Sequence, residues 1–526
     1  MVPRKYFVLR NVSFFFLIFI LERSFFINKS FYVSTPIYYP SASFHIGHCY
    51  TTIIADAIAR YKRLDGYDVY FQTGTDEHGQ KIENKAKEAG VSPKEYVDEI
   101  IADTKDLWNC LNIKYDYFVR TTDEDHMIRV QEIFKKLYDK GDIYKGEYSG
   151  LYCTPCESFW TESQLVDGKC PDCGRDVHMV KEEAYFFKLS KYADSLLDYY
   201  EKNPNFLLPL SRKNEMINNF IKPGLQDLCV SRTSFKWGIP VTFDPDHVIY
   251  VWIDALSNYI TTLGYPDEES EMFKKFWPCD LHIVGKEIVR FHAIIWPCIL
   301  MALGLPLPKR VFAHGWLLVE GNKISKSFGN YKDPRVYINE FGVDAIRYYA
   351  LREVPFGSDG NFSEDALLSR YNSDLANTLG NLVNRSIAMA NKYFEGKVSD
   401  KNSYEEDNDF INLVKSLKEK VAIKMNDYDA GAALECIFEV LRRSNKYVDE
   451  TTPWILYKEG NFDRLEKVIY NLLESVRICT ILLQPFIPDT CERIFNQLGI
   501  SNTTFEDINK KISFAVREQE VLFERK

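Results

Sequence analysis

The stretch FYVSTPIYYPSASFHIGHCYTTIIADAIARYKRLDGYDVYFQT, residues 31 to 73, decides how this chain folds. Its opening, FYVSTPI, is a short strand-like run. From Thr51 the apolar residues fall at 53, 54, 57, 58 and 64, the spacing of one helix face. YDVYFQT then reads as a buried strand, because it is rich in aromatic residues and ends at Gly74. Further on, SPKE places Ser92 at a helix cap, Pro93 at the first helical position and Glu95 three residues later, so a helix starts there and runs toward Trp108. Strand, helix, strand, helix predicts a parallel sheet with helices over it.

At 526 residues the chain is too long for one core, and roughly two to four domains are expected from the usual domain size. Its 46% hydrophobic and 27% charged residues describe a globular protein, not a disordered or fibrous one. The formal charge of -10 excludes a wholly basic surface but not a local basic groove that holds RNA. Twelve cysteines are too sparse for a disulfide scaffold, which favours a reducing compartment.

Residues 1–29 differ in kind, with Arg4, Lys5, Arg10, Arg23 and Lys29 against the single acid Glu22, around the apolar run Phe14 to Leu21. That run is too short to cross a bilayer, which takes about 20 residues, so no membrane partner is expected. The expected location is the cytoplasm. The alternative is an organellar matrix reached by this basic leader, and a misassigned start is the other account of it.

The alternation loosens between 120 and 245 and resumes with HVIYVWIDAL, DLHIVG, EIVRFHAIIWPCILMAL and RVFAHGWLL, read as strand, strand, helix, strand. After Pro334 the chain turns helical, as in DLANTLGNLVNRSIAMANKYF, and an α-bundle is expected toward the end. The expected division is a leader at 1–29, an α/β domain at 30–119 and 246–320 interrupted by an insertion at 120–245, a loop and linking region at 321–372, and a helical domain at 373–526.

Cys153 and Cys156, then Cys170 and Cys173 after thirteen intervening residues, form two knuckles furnished with turn residues. Four thiolates so spaced suit a tetrahedral zinc ion, and with every position filled by protein the zinc is structural. The alternative is four buried free thiols. His45 and His48 share one face at a helix start, where Gly47 permits close backbone approach, so they are either a cap or one side of a phosphate site. In GNKISKSFGN, residues 321 to 330, Lys323 and Lys326 lie on a Gly, Asn and Ser rich loop. Such a loop is either an ordinary solvated basic segment or one that closes over a polyphosphate and neutralises a departing pyrophosphate.

HIGH near the first strand and KISKS near the end of the α/β region together resemble the signatures of class I aminoacyl-tRNA synthetases. STPIYYPSASFHIGH, TGTDEHGQKI, YVWIDALSNY, HIVGKEIVRFHAIIWP, the two cysteine knuckles and TTPWILYK follow in the order of the methionyl-tRNA synthetase family. The chain from about residue 30 is similar to that family nearly throughout. The resemblance implies a Rossmann-type parallel-sheet catalytic domain with a zinc-bearing connective insertion, followed by an all-α anticodon-binding bundle. It implies a methionine pocket of Ile37, Tyr39, Trp252, Ala255, Leu256, Tyr259 and His292, with Asp76 holding the substrate ammonium. Contacts to ATP fall on His45, Gly47, His48, Gly285, Glu287, Lys323, Ser325 and Lys326. His45, His48, Lys323 and Lys326 are the catalytic set, and Asn381, Arg385 and Trp454 the anticodon readers. An apolar, aromatic slot also suits a thioether on its own terms, since sulfur packs well against ring edges. Viewed without the family, Trp252 and Tyr259 are as well explained as a core pair.

The partners implied are L-methionine, ATP with Mg2+, and elongator and initiator tRNA(Met). Synthetases for leucine, isoleucine and valine add a large editing domain, because one methylene discriminates weakly, and residues 120–245 leave too little room for it. A catalytically silent scaffold would carry a broken motif, and both motifs are intact. A small-molecule adenylyltransferase would have no use for the helical domain. The chain ends soon after that domain, so a monomer is expected.

Overall fold

The computed structural model describes residues 29–154, 158–160, 162–171, 173–319, 321–322, 324, 332–355, 357–501 and 503–526. The readings made on the leader before Lys29, on Cys156, and on Lys323, Ser325 and Lys326 lie outside the described residues.

The expected parallel sheet has six strands: β1 (Ser30–Tyr38), β2 (Asp68–Thr75), β3 (Tyr117–Arg120), β4 (Leu207–Leu208), β5 (Leu281–Gly285) and β6 (Val311–His314). Their order is β3-β2-β1-β5-β6-β4, with every neighbouring pair parallel. Both faces are covered, so alternate side chains enter different cores. Phe31, Val33, Phe71, Ile283 and Phe312 join one core; Tyr32, Tyr70, Val284, Val311 and Ala313 join the other.

Between β1 and β2 lies helix α1 (Ile46–Leu64), which buries Ile53, Ile54, Ala57 and Ile58 as its spacing predicts. The later helix at Pro93–Cys110 begins at the expected capping box of Ser92 and Glu95. Within 120–245, strands Ile143–Cys153, Ser158–Trp160, His178–Phe187 and Leu228–Cys229 form a separate antiparallel sheet. The same stretch also returns β4 to the edge of the central sheet, beside β6.

One sequence expectation needs correction. HVIYVWIDAL is not a single strand: the strand ends at Ile249, where it pairs with Ile239 and Ser231, and helix α2 (Val251–Thr261) follows at once. A continuous apolar run carries no period that separates a buried strand from a buried helix.

Helices Asn381–Phe394, Asn408–Asn426, Ala430–Thr451, Phe462–Leu483 and Pro488–Leu498 build the expected α-bundle. Its core is continuous with the one under α1. Among the described residues no helix is long and apolar enough to cross a membrane.

The junction carries a buried cation. Arg347, on helix α3 (Val343–Arg352), meets Asp56 of α1 at 2.6 Å, with both side chains fully buried. It also donates to the carbonyls of Leu111 at 3.2 Å, Pro485 at 3.1 Å and Phe486 at 3.0 Å. Removing one partner of such a pair strands the others without water. Arg347→Met should therefore cost about 3–5 kcal/mol, read from urea unfolding. An unchanged midpoint would contradict this role for the pair.

Candidate active site

β1 and β5 are neighbours in space but far apart in sequence, so the helices leaving their carboxyl ends diverge and open a crevice. A cavity of about 780 Å³ occupies that place. It is lined from β1 by Ile37 and Tyr39, from α1 by His45, Gly47 and His48, from β2 by Asp76, and from α2 by Trp252, Ala255, Leu256 and Tyr259. Beyond β5 it meets Gly285, Glu287 and His292. Every described residue expected to touch methionine or ATP thus faces one space. Ile324, between the two loop lysines in sequence, lines it too and stands 3.7 Å from where a side chain on Gly47 would begin.

His45 and His48 are both a cap and a wall of this cavity. The His45 ring nitrogen Nδ1 accepts from the Gly47 amide at 3.1 Å, and His48 Nδ1 accepts from the His45 amide at 3.1 Å. This reciprocal box satisfies donors that a helix start leaves open. Because Nδ1 of each ring accepts, the proton sits on Nε2, and each imidazole is left with one N–H donor. The rings lie 3.9 Å apart. Loss of solvent lowers His45 to about 4 and holds His48 well below the usual range, the latter also through His45 itself. Both are therefore neutral donors near pH 7, with no spare proton acceptor. Gly47 leaves room for this packing: a Cβ there would stand 3.0 Å from the His45 ring and push it aside.

The side-chain slot is uncharged. Trp252, Ala255, Leu256 and Tyr259 recur at one face of α2. Trp252 lies flat on Phe291, with centroids 3.4 Å apart. The Tyr259 hydroxyl donates to His292 Nε2 at 2.7 Å, and His292 Nδ1 donates to the Ile288 carbonyl at 3.0 Å. Burial lowers His292 to about 4, so this end too stays neutral. Asp76, a buried carboxylate at the end of β2, stands at the cavity wall.

Across the sheet, Gly285 lets Glu287 fold against the strand end, since a Cβ would run into its carboxylate. Glu287 accepts from Trp316 Nε1 at 2.7 Å. Trp316, Lys286 and His314 also line the cavity, and the sequence reading missed all three. His314 was findable, as it stands beside a glycine inside a strand-like run. Trp316 carried no such mark.

Cys153, Cys170 and Cys173 bring their sulfurs within 4.8 Å of one another, beside Trp160, Leu165 and Val177. An all-sulfur set in an apolar surround fits a soft or borderline metal such as zinc. In the bundle, Asn381 is exposed on the first turn of its helix, Arg385 pairs with Asp449 at 3.2 Å, and Trp454 is 41% exposed. Tyr393 stacks on Tyr457 at 4.6 Å and joins their two helices.

Comparison with known proteins agrees with this arrangement. Residues 31–181 and 173–387 match the family model of class I tRNA synthetases (M), and residues 407–524 match that of the anticodon-binding domain of tRNA ligase. The methionine–tRNA ligase of Clostridium acetobutylicum is 59% identical over 503 residues, covering 94% of this chain and 78% of that protein. That of Caldanaerobacter subterraneus subsp. tengcongensis is 61% identical over 504 residues, covering 94% and 79%. Among solved structures, Mycobacterium tuberculosis methionyl-tRNA synthetase in complex with methionyl-adenylate superposes with a TM-score of 0.91 at 43% identity, covering 94% of this chain and 100% of that one. On the sheet order, the shared cavity and these matches over nearly its whole described length, the chain belongs to the methionyl-tRNA synthetase family of class I tRNA synthetases.

Proposed function

We propose that this chain is a methionine–tRNA ligase that works in two steps at the cavity above β1 and β5. A methionine carboxylate oxygen attacks the α-phosphorus of ATP, which enters as its magnesium complex; the bond to the β-phosphate bridging oxygen breaks, leaving methionyl adenylate and pyrophosphate. A terminal ribose hydroxyl of tRNA(Met), elongator or initiator, then attacks the methionyl carbonyl and AMP departs. The carrying observation is that a buried carboxylate, a neutral apolar slot and two imidazole donors line one cavity. Asp76 pairs with the ammonium, α2 and His292 take the thioether side chain, and Glu287 contacts the nucleoside side of ATP. His45 and His48 donate from Nε2 to phosphate oxygens that gain charge as pyrophosphate leaves, a task of positioning and electrostatics and not of proton abstraction. Lys323 and Lys326 neutralise the leaving pyrophosphate.

Zinc, held by Cys153, Cys170 and Cys173 with Cys156 as fourth ligand, cross-links the knuckles of the insertion and takes no part in the chemistry. Asn381 and Arg385 read anticodon base edges and Trp454 stacks a base. The cytoplasm is the proposed location, supported by the eleven described cysteines, none of which is joined in a disulfide. The enzyme is proposed to act as a monomer.

Pyrophosphate exchange with each amino acid in turn tests the assignment. Methionine should support it best, and better exchange with leucine, isoleucine or cysteine would refute the slot. His45→Asn keeps a side-chain cap but loses the Nε2 donor, so exchange should fall about a hundredfold with methionine binding retained. Equal rates would remove His45 from the phosphate site.

Burial of the imidazoles also sets a pH dependence. His45 and His292 are lowered to about 4, whereas in the unfolded chain they titrate near about 6.5. Between those values the unfolded state binds more protons, so their contribution to stability is full above about 6.5 and is lost as pH falls through about 4. Urea midpoints should drop from pH 7 to pH 5, and drop less in His45→Asn. An equal drop in both proteins would contradict the assignment.

A further inference from the structure

A buried carboxylate stands beside the slot and has no part in the two steps of the reaction. Asp254 lies on α2 between two residues of the slot, Trp252 and Ala255, and is fully buried. The hydrogen bonds of its carboxylate go to two histidines outside the slot. Oδ2 meets His78 Nδ1 at 2.7 Å and Oδ1 meets His126 Nε2 at 2.9 Å. His126 Nδ1 lies 2.8 Å from the Thr261 hydroxyl, on the last turn of the same helix. Both imidazoles are buried.

What the two rings belong to gives the contact its meaning. His78 is two residues beyond Asp76, in a loop that other bonds make rigid. Glu77 accepts two bonds from the Arg120 guanidinium, at 2.7 and 2.8 Å, and one from the Thr122 hydroxyl at 2.6 Å. The Trp237 indole donates to the Glu77 carbonyl at 2.6 Å, and the Gly79 amide donates to the Trp237 carbonyl at 3.1 Å. His126 stands near the start of the helix Glu124–Asp139, which follows β3. Asp254 is thus one of the points at which α2 is attached to the block that carries Asp76, beside Asn258, whose Oδ1 accepts from Gln72 of β2.

We propose that Asp254, gripped by His78 and His126, is a positioning residue that sets the separation between Asp76 and the slot on α2, and so the length of amino acid that is activated. This rests on the reading of Asp76 as the ammonium partner. A substrate anchored at one end by charge and at the other by shape is measured by the distance between the anchors, and small displacements of either are costly. The carboxylate grip is strong because it is charge-assisted and shielded from water.

The test is pyrophosphate exchange with methionine, with ethionine, which is one methylene longer, and with S-methylcysteine, which is one shorter. Asp254→Asn is isosteric, and the two rings can switch tautomer to meet an amide, so the fold should persist. KM for methionine should rise about tenfold with KM for ATP unchanged, the loss expected for bonds to a charged group. The preference for methionine over both analogues should fall severalfold. His78→Asn and His126→Gln each return an amide N–H near the ring nitrogen that is lost, so they should keep most of the preference that His78→Ala and His126→Ala lose.

Two results overturn the proposal: an Asp254→Asn enzyme with unchanged methionine KM and unchanged preference, or one in which both KM values and kcat deteriorate together as in general loosening. Asp76→Asn separates this from the underlying reading. If Asp76→Asn binds methionine normally, the anchor assignment fails. If Asp76→Asn loses methionine while Asp254→Asn behaves like the unaltered chain, only the positioning role fails.

Discussion

Ser34 lies against His282 across the middle of the sheet, although 248 positions separate them along the chain. That pairing of β1 with β5 is the constraint on which the site depends. It brings the capped start of α1 beside the loop after β5, and the crevice between them is the gap that an α/β sheet leaves where strand order reverses. Loops from β2 and β6 and the face of α2 converge on the same gap because all the strands are parallel and present their carboxyl ends to one side. An antiparallel sheet of the same strands would have scattered these groups over two edges.

Within that crevice the recurring device is the removal of charge from histidine. Six of the nine histidines are buried and His45 and His48 are half-buried; His45, His48 and His292, at the cavity, are held neutral by loss of solvent. Neutral rings whose one nitrogen is committed to a backbone or hydroxyl partner present a single kind of group on the other nitrogen. At His45 and His48 this yields donors; at His292 it yields an acceptor filled by Tyr259. The charged groups that line the cavity, Asp76, Glu287 and Lys286 among them, lie outside this set of neutral rings. The side-chain slot stays free of charge, which suits a thioether.

Much of the site was legible where the determining interactions are local. His45 and His48 could be read because a helix cap spans three residues, and the SPKE box because it does too. The cysteine pairs could be read because metal knuckles are short loops. The carboxylate at Asp76 could be placed because it ends a strand. Legibility failed where an element owes its form to distant partners. β4 has two residues and exists only because β6 pairs with it. The junction of strand and helix at Ile249 to Val251 is invisible in an unbroken apolar run. Trp316 bears on Glu287 through a contact that no spacing announces.

The sequence alone determined β1, α1, β2 and the helix Pro93–Cys110, since the periods of alternating and helical burial and the capping box are written into neighbouring side chains. It also determined the chemistry available: imidazoles at a helix start, paired thiols, lysines on a loop. The tertiary structure decided which of these meet. It tied α2 to the loop after β2 and to the helix after β3 through Asp254, made the two histidines donors by turning their Nδ1 atoms to the backbone, and joined the bundle to α1 through Arg347. Those outcomes depend on contacts between residues tens to hundreds of positions apart, and such contacts are specified only when both sides of a shared core are in place.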